Sequence, residues 1–168
     1  MIGLDTVTFD LWQTLIVDSS KLGAPRMQAR LDRVAATLAT EGFDFPIEHL
    51  RKASRTTYEI CDEVRVNEGD VTFSEQVDIF LRSIGEDVAE RLSGRAKGEV
   101  GRHYADSYLD HPPEVDEESA DVLRAVRQMG LKVALICNTG ATPGFTQRVF
   151  LERVGLIGFF DTLTFSDE

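Results

Sequence analysis

The run "VTFDLWQTLIVD", from Val7 to Asp18, is apolar enough for a buried strand, yet it carries a carboxylate at Asp10. A second apolar run, "LKVALICNTG", ends in Cys137, Asn138 and Thr139 followed by glycine, a turn signal. In open parallel sheets, ligands gather beyond the carboxyl ends of the strands. If the two strands are neighbours, Asp10 and Cys137-Asn138-Thr139 face one cavity. A carboxylate placed there can attack phosphorus or carbon and form an acyl intermediate, which splits one hard displacement into two. Asp10 could equally do no more than cap the turn into Gln13 and Thr14. Cys137, taken alone, reads as a small buried strand residue rather than a nucleophile.

Other chemistry-bearing residues form no pattern. Cys61 and Cys137 lie far apart without CxxC or Cys/His spacing, which fits reduced thiols. His49, His103 and His111 are scattered, with no metal-ligand spacing. Arg26, Arg30 and Arg33 fall along one flank of a helical stripe. There they could grip a carboxylate or phosphate bidentately, or form a solvated face with acidic partners, and none is taken as a site residue. The acidic excess, 29 Asp plus Glu against 18 Lys plus Arg, repels nucleic acid and anionic membranes. A small-molecule substrate is the partner that remains. No basic segment precedes a long apolar run and no stretch reaches spanning length, so the cytoplasm is the expected compartment. The oligomeric state is not legible.

Helices and strands must position these residues. At 168 residues the chain can bury a sizeable core. The first strand is expected over Asp5–Leu11, apolar on both faces as in the centre of a parallel sheet. Val122, Leu123, Val126 and Met129 recur at helical spacing before Gly130, a C-cap signal, and the strand ending at Cys137 follows. Thr142 as N-cap and Pro143 at the first helical position open the next helix, which Gly155 ends. A third short strand is expected near Thr162–Phe165. Between strands one and two the sequence is almost wholly helical. One stripe is Met27, Leu31, Val34 and Leu38, another Leu50, Ala53, Ile60 and Val64, a third Val77, Phe80, Leu81 and Ile84 with Ser74 as N-cap. A fourth helix is expected over Asp87–Tyr108, with Gly94, Gly98 and Gly101 marking a kink or a close crossing. The fold class is therefore α/β. A Rossmann-like parallel sheet core (residues 1–17 and 114–168) carries an inserted α-helical bundle cap (residues 18–113).

In order, spacing and flanking sequence, "FDLWQTL", "LICNTG" and "GLIGFFDTLTFSDE" resemble the haloacid dehalogenase superfamily of hydrolases over nearly the whole chain. The resemblance implies a helical cap and a nucleophile at Asp10, in the family's Asp-x-Asp-x-Thr motif, with Thr14 as its hydroxyl and a substrate-binding residue. Asp10 and the backbone carbonyl of Trp12 would hold Mg²⁺. Cys137 occupies the slot of the family's second-motif Ser or Thr, and Asn138 and Thr139 beside it are further substrate-binding candidates. Trp12 replaces the motif's second Asp, the general acid and base of family phosphatases. A positioned acid typically contributes roughly 10²–10⁴-fold, so a leaving group that needs no proton suffers least. Halide, acyl phosphate and aryl phosphate qualify.

Three functions follow. The first is a Mg²⁺-dependent phosphatase working through an aspartyl intermediate on Asp10. The second is a metal-independent 2-haloacid dehalogenase, favoured by Trp12. The third is a non-catalytic binding protein on the same fold. The family's Lys and its acidic pair would come after Glu168, so the sequence reads as a fragment whose first strand would lie at a sheet edge.

Overall fold

The computed structural model describes residues 3–67 and 69–168. β1 (Thr6–Phe9) leads through a tight turn into β2 (Ile16–Val17). Then come α1 (Ser20–Thr40), α2 (Ile47–Val66), α3 (Phe73–Ile84), α4 (Glu86–Arg91) and α5 (Gly94–Asp110). The chain returns through β3 (Glu114–Val115), α6 (Ser119–Gln128), β4 (Lys132–Cys137), α7 (Gly144–Arg153), a 3₁₀ turn at Ile157–Phe159 and β5 (Thr162–Phe165). The fold is α/β. β1, β4 and β5 form a parallel sheet in the order β1-β4-β5, and β2 and β3 pair antiparallel as a separate ribbon.

The central strand is β4, which buries Val133, Leu135 and Cys137 at alternate positions. β1 is shorter than the expected Asp5–Leu11 and is not central. Among the described residues it pairs only with β4, and Thr8 on it is exposed. The strand stops because Leu11 is drawn into a turn. Its carbonyl accepts the N–H groups of Leu15 at 3.0 Å and Ile16 at 3.1 Å, and its side chain is fully buried. Asp10 is thus the first residue beyond β1.

Two apolar clusters divide the interior. One joins Leu31, Val34 and Leu38 of α1 to Leu50 of α2 and Phe80 and Leu81 of α3, all fully buried. The other lies on the sheet and joins Leu11, Leu135, Phe150 and Phe165 to Tyr108 near the end of α5. Each such Leu or Phe contributes about 1.5–3 kcal/mol on burial, so each cluster is a core in its own right. The expected stripes of α1 and α3 face inward. That of α2 does not: Thr57 and Cys61 join Leu50 and Ala53 inside, while Ile60 is exposed.

Helix ends differ from the sequence reading where a better cap lies nearby. α3 is capped by Thr72, not Ser74. The Glu75 N–H donates to the Thr72 hydroxyl and the Thr72 N–H donates to the Glu75 carboxylate, a reciprocal capping box. The expected fourth helix breaks at Leu92–Ser93, where Ser93 caps α5. Gly94 opens α5, and Gly101 sits where Phe73 and Val77 of α3 come within 4 Å of an added Cβ, a close crossing. At α7, Pro143 occupies the N-cap position without a side-chain cap bond and Thr142 lies before it, so the expected Thr142 cap is not formed. Next in the chain, Gly144 is required. A Cβ there would stand 2.7 Å from Cβ of Phe165. After α6, Gly130 takes φ +78°, the left-handed conformation that ends a helix, while Met129 of its expected stripe is exposed.

Candidate active site

Asp10 stands exposed at the carboxyl end of β1, and the turn that follows aims groups back at it. The Thr14 hydroxyl donates to Asp10 Oδ2 at 3.2 Å and lies 3.5 Å from the Trp12 carbonyl oxygen. Gln13 has φ +56°, a left-handed conformation unusual outside glycine, and its side-chain amide donates to the Asp18 carbonyl at 2.9 Å. This strained turn allows Thr14 to reach back across it. Trp12 is half-buried, with its ring edge-on to Tyr108 at a centroid distance of 6.0 Å.

β4 is the neighbour of β1, so its tip lies beside Asp10. Ile136 and Asn138 line a groove together with Asp10 and Trp12, and Asn138 is exposed. Strand alternation turns Cys137 and Thr139 the other way, into the interior. Burial, then the charges of Asp10 and Asp167, push the Cys137 thiol up to about 12, so it is neutral and poorly nucleophilic at neutral pH. The Thr139 hydroxyl lies 3.2 Å from that of Ser166, which also accepts the Thr139 N–H at 3.0 Å. Of the three residues singled out at the end of β4, the structure brings Asn138 to the groove, buries Cys137 and commits Thr139 to Ser166.

The arginines of α1 are also committed. Arg26 bonds the Asp18 carboxylate at 2.7 Å and the His111 carbonyl at 2.8 Å. Arg30, 4 % exposed, donates to the Ser107 hydroxyl and the Tyr104 carbonyl and lies over the Tyr104 ring. Arg33 pairs with Asp110. Two residues of α2 that the sequence reading passed over reach the sheet's loops instead. Arg65 donates to the Thr139 carbonyl at 3.1 Å, and Tyr58 lines a cavity of about 420 Å³ shared with Trp12 and Asn138. The available signal for Tyr58 was an aromatic residue lying off the apolar stripe of its helix.

Magnesium takes hard oxygen ligands and keeps several of its waters. Two protein oxygens converge here, since one hydroxyl, that of Thr14, lies near both Asp10 Oδ2 and the Trp12 carbonyl. A hydroxyl has one proton and serves one of them at a time, so an oxygen is left over. The donors fit Mg²⁺ in kind but are few. Among the described residues no three His, Cys, Asp or Glu side chains form a metal-sized cluster.

A family model for haloacid dehalogenase-like hydrolases matches residues 4–168. No curated protein matches the chain. Solved structures with the same fold include a 2-haloacid dehalogenase from Pseudomonas syringae pv. tomato DC3000, 20 % identical at a TM-score of 0.62 over 98 % of this chain and 65 % of that one. The HAD-hydrolase YfnB of Bacillus subtilis, bound to magnesium, is 15 % identical at a TM-score of 0.55 over 98 % of this chain and 64 % of its own. A predicted phosphoglycolate phosphatase from Haemophilus somnus 129pt is 12 % identical at 0.52, over 96 % of this chain and 62 % of its own. The chain thus spans less than two thirds of the length of each. No helix among the described residues is long and apolar enough to cross a membrane.

Proposed function

The chain belongs to the haloacid dehalogenase-like hydrolase family, and from that premise we propose that Asp10 is its nucleophile and that the displaced group leaves as an unprotonated anion. The observation that carries this reading is Asp10 at the tip of β1, held by Thr14, with Trp12 where a proton donor would stand. Thr14 engages Oδ2, which leaves Oδ1 to attack. Oδ1 forms the new bond, the bond to the leaving group breaks with its electron pair, and water then hydrolyses the covalent intermediate, an aspartyl phosphate for a phosphoryl substrate or an aspartyl ester for a haloacid. Apart from Asp10, no acid among the described residues lines the groove. Asp18, in the adjoining cavity, is tied to Arg26.

The substrate class that fits best is a phosphate ester or anhydride with a good leaving group, turned over in the presence of Mg²⁺. Among the described residues no Lys or Arg lines either the groove or the cavity, so an anionic group there calls for charge neutralisation from another source. Bound by Asp10 and the Trp12 carbonyl, Mg²⁺ would supply that charge neutralisation. A second reading, a 2-haloacid dehalogenase needing no metal, is favoured by Trp12 alone.

The test assays wild type and Asp10→Asn with p-nitrophenyl phosphate and with 2-chloropropionate, each with Mg²⁺ or EDTA. Phosphate release that needs Mg²⁺ and falls by at least roughly 10³-fold in Asp10→Asn is expected. Halide release that survives EDTA, without phosphate release, selects the second reading. Turnover retained by Asp10→Asn removes the nucleophile from both.

A further inference from the structure

We propose that the cavity between Trp12 and Tyr58 is the subsite for a planar aryl leaving group, which makes aryl phosphates the preferred substrates. The proposal rests on Asp10 as nucleophile but concerns a different part of the site. Its volume, about 420 Å³, falls in the range of small-molecule pockets. One wall, Trp12, belongs to the turn after β1, and the other, Tyr58, belongs to α2. Trp12 and Asn138 line both this cavity and the groove that holds Asp10. A phosphoryl group at Asp10 therefore places its leaving group beside Trp12.

The two aromatic walls are differently prepared. Trp12 is held by its edge contact with Tyr108, and Tyr108 is fixed in turn by its hydroxyl, which donates to Gln147 Oε1 at 2.8 Å. Tyr58 is 64 % exposed and meets no other aromatic ring among the described residues. Its neighbours at 57 and 61 face inward, so helix geometry turns the Tyr58 ring off the core side and toward the loops of the sheet. A large ring left exposed beside a cavity gains from stacking on a guest. Between the walls, Gly140 and Ala141 offer little side chain, so a flat group can approach the backbone closely.

Charge and chemistry agree with this shape. Asp18, the one acid among the described residues that line the cavity, is neutralised by Arg26, which leaves a wall suited to an uncharged ring. A phenolate is a far weaker base than an alkoxide and departs without a proton, which is what Trp12 in place of an acid demands. As Asp10 Oδ1 bonds to phosphorus, the phosphorus–oxygen bond to the aryl group breaks, and its electron pair stays on the phenolate oxygen.

The experiment measures binding of the leaving groups alone to the wild-type 168-residue chain, which cannot turn them over. Phenol and cyclohexanol are uncharged, are similar in size and differ in planarity. Trp12 is the single tryptophan of the sequence, so its emission reports on this cavity. Phenol is expected to quench Trp12 and to bind about tenfold more tightly than cyclohexanol. Tyr58→Leu should reduce that preference to about twofold or less. Equal affinities for the two alcohols, including failure of both to bind, overturn the subsite, as does a preference that survives Tyr58→Leu. Because binding is read without turnover, loss of Asp10's role as nucleophile would leave this result standing, and the reverse also holds.

Discussion

Arg26 and Asp18 meet at 2.7 Å where the chain leaves β2 for α1, and the Arg26 Nε also donates to the carbonyl of His111 where the chain returns from α5. One guanidinium thus ties both crossings between the sheet and the helical insert. It also lies over the Tyr108 ring at 5.0 Å, and Tyr108 holds Trp12. Both side chains of the pair are largely buried, at 9 % and 17 % exposure. Removing one charge leaves the other uncompensated, which in buried pairs is strongly destabilising. Arg26→Met should therefore lose about 3 kcal/mol in urea unfolding. Its Trp12 emission should shift as well, and an unchanged midpoint would show that the tie carries no weight.

Arg30, one turn further along α1, should behave in the opposite way. It is buried, among the described residues it has no carboxylate partner, and burial lowers its guanidinium pKa to about 10. Its bonds go to neutral groups, and the Ser107 hydroxyl keeps a second bond, to the Tyr104 carbonyl, when Arg30 is gone. Replacing a desolvated charge that has no ion partner by an apolar side chain of similar length removes its burial penalty. Arg30→Met should leave the unfolding midpoint unchanged or raise it. A loss as large as that of Arg26→Met would mean that the cation–π contact with Tyr104 outweighs desolvation.

Much of this arrangement was legible in the sequence because it repeats locally. Leu31, Val34 and Leu38 announce the buried face of α1 by spacing, and the apolar run before Asn138 announces a strand and its tip. Two-residue strands such as Ile16–Val17 carry no period, so the β2–β3 ribbon was invisible. Thr72 and Glu75 did present a capping box, but Ser74 lay closer to the apolar stripe and masked it. Thr139 looked free because its partner, Ser166, lies 27 residues on and reaches it only through the β4–β5 pairing. Tyr58 and Arg65 gained their places from how α2 lies against the sheet's loops, which no local pattern records.

Cys137 makes stability depend on pH at the alkaline end. Its folded pKa, pushed up to about 12, lies above its ordinary value of 9.0, chiefly through burial. The folded state therefore keeps a proton that the unfolded state loses. The resulting contribution is fully present below about pH 9 and is lost as pH rises towards about 12. Tyr104 and Tyr108 are raised by burial in the same sense, so Cys137 is best isolated by difference. The stability gap between wild type and Cys137→Ala should stay constant below pH 9 and narrow above it. A gap that widens above pH 9 would mean that the thiol ionises more readily in the folded protein.

Thr14 holds the nucleophile, and its two interactions separate a positioning role from a structural one. The hydroxyl bonds Asp10 Oδ2 at 3.2 Å, while the residue is exposed and its backbone N–H closes the turn on Leu11 independently of the side chain. Thr14→Val keeps the β-branched shape and removes only the bond, so the unfolding midpoint should move little. Without that bond the carboxylate can rotate away from the attack geometry, and misplacement of a reacting group by about 1 Å can lower turnover by up to roughly 10²-fold. The expected pattern is a kcat reduced by about ten- to a hundredfold with KM nearly unchanged, and recovery in Thr14→Ser, which restores the donor. A fall in stability that matches the fall in kcat, with no recovery in Thr14→Ser, would assign Thr14 to the turn rather than to Asp10.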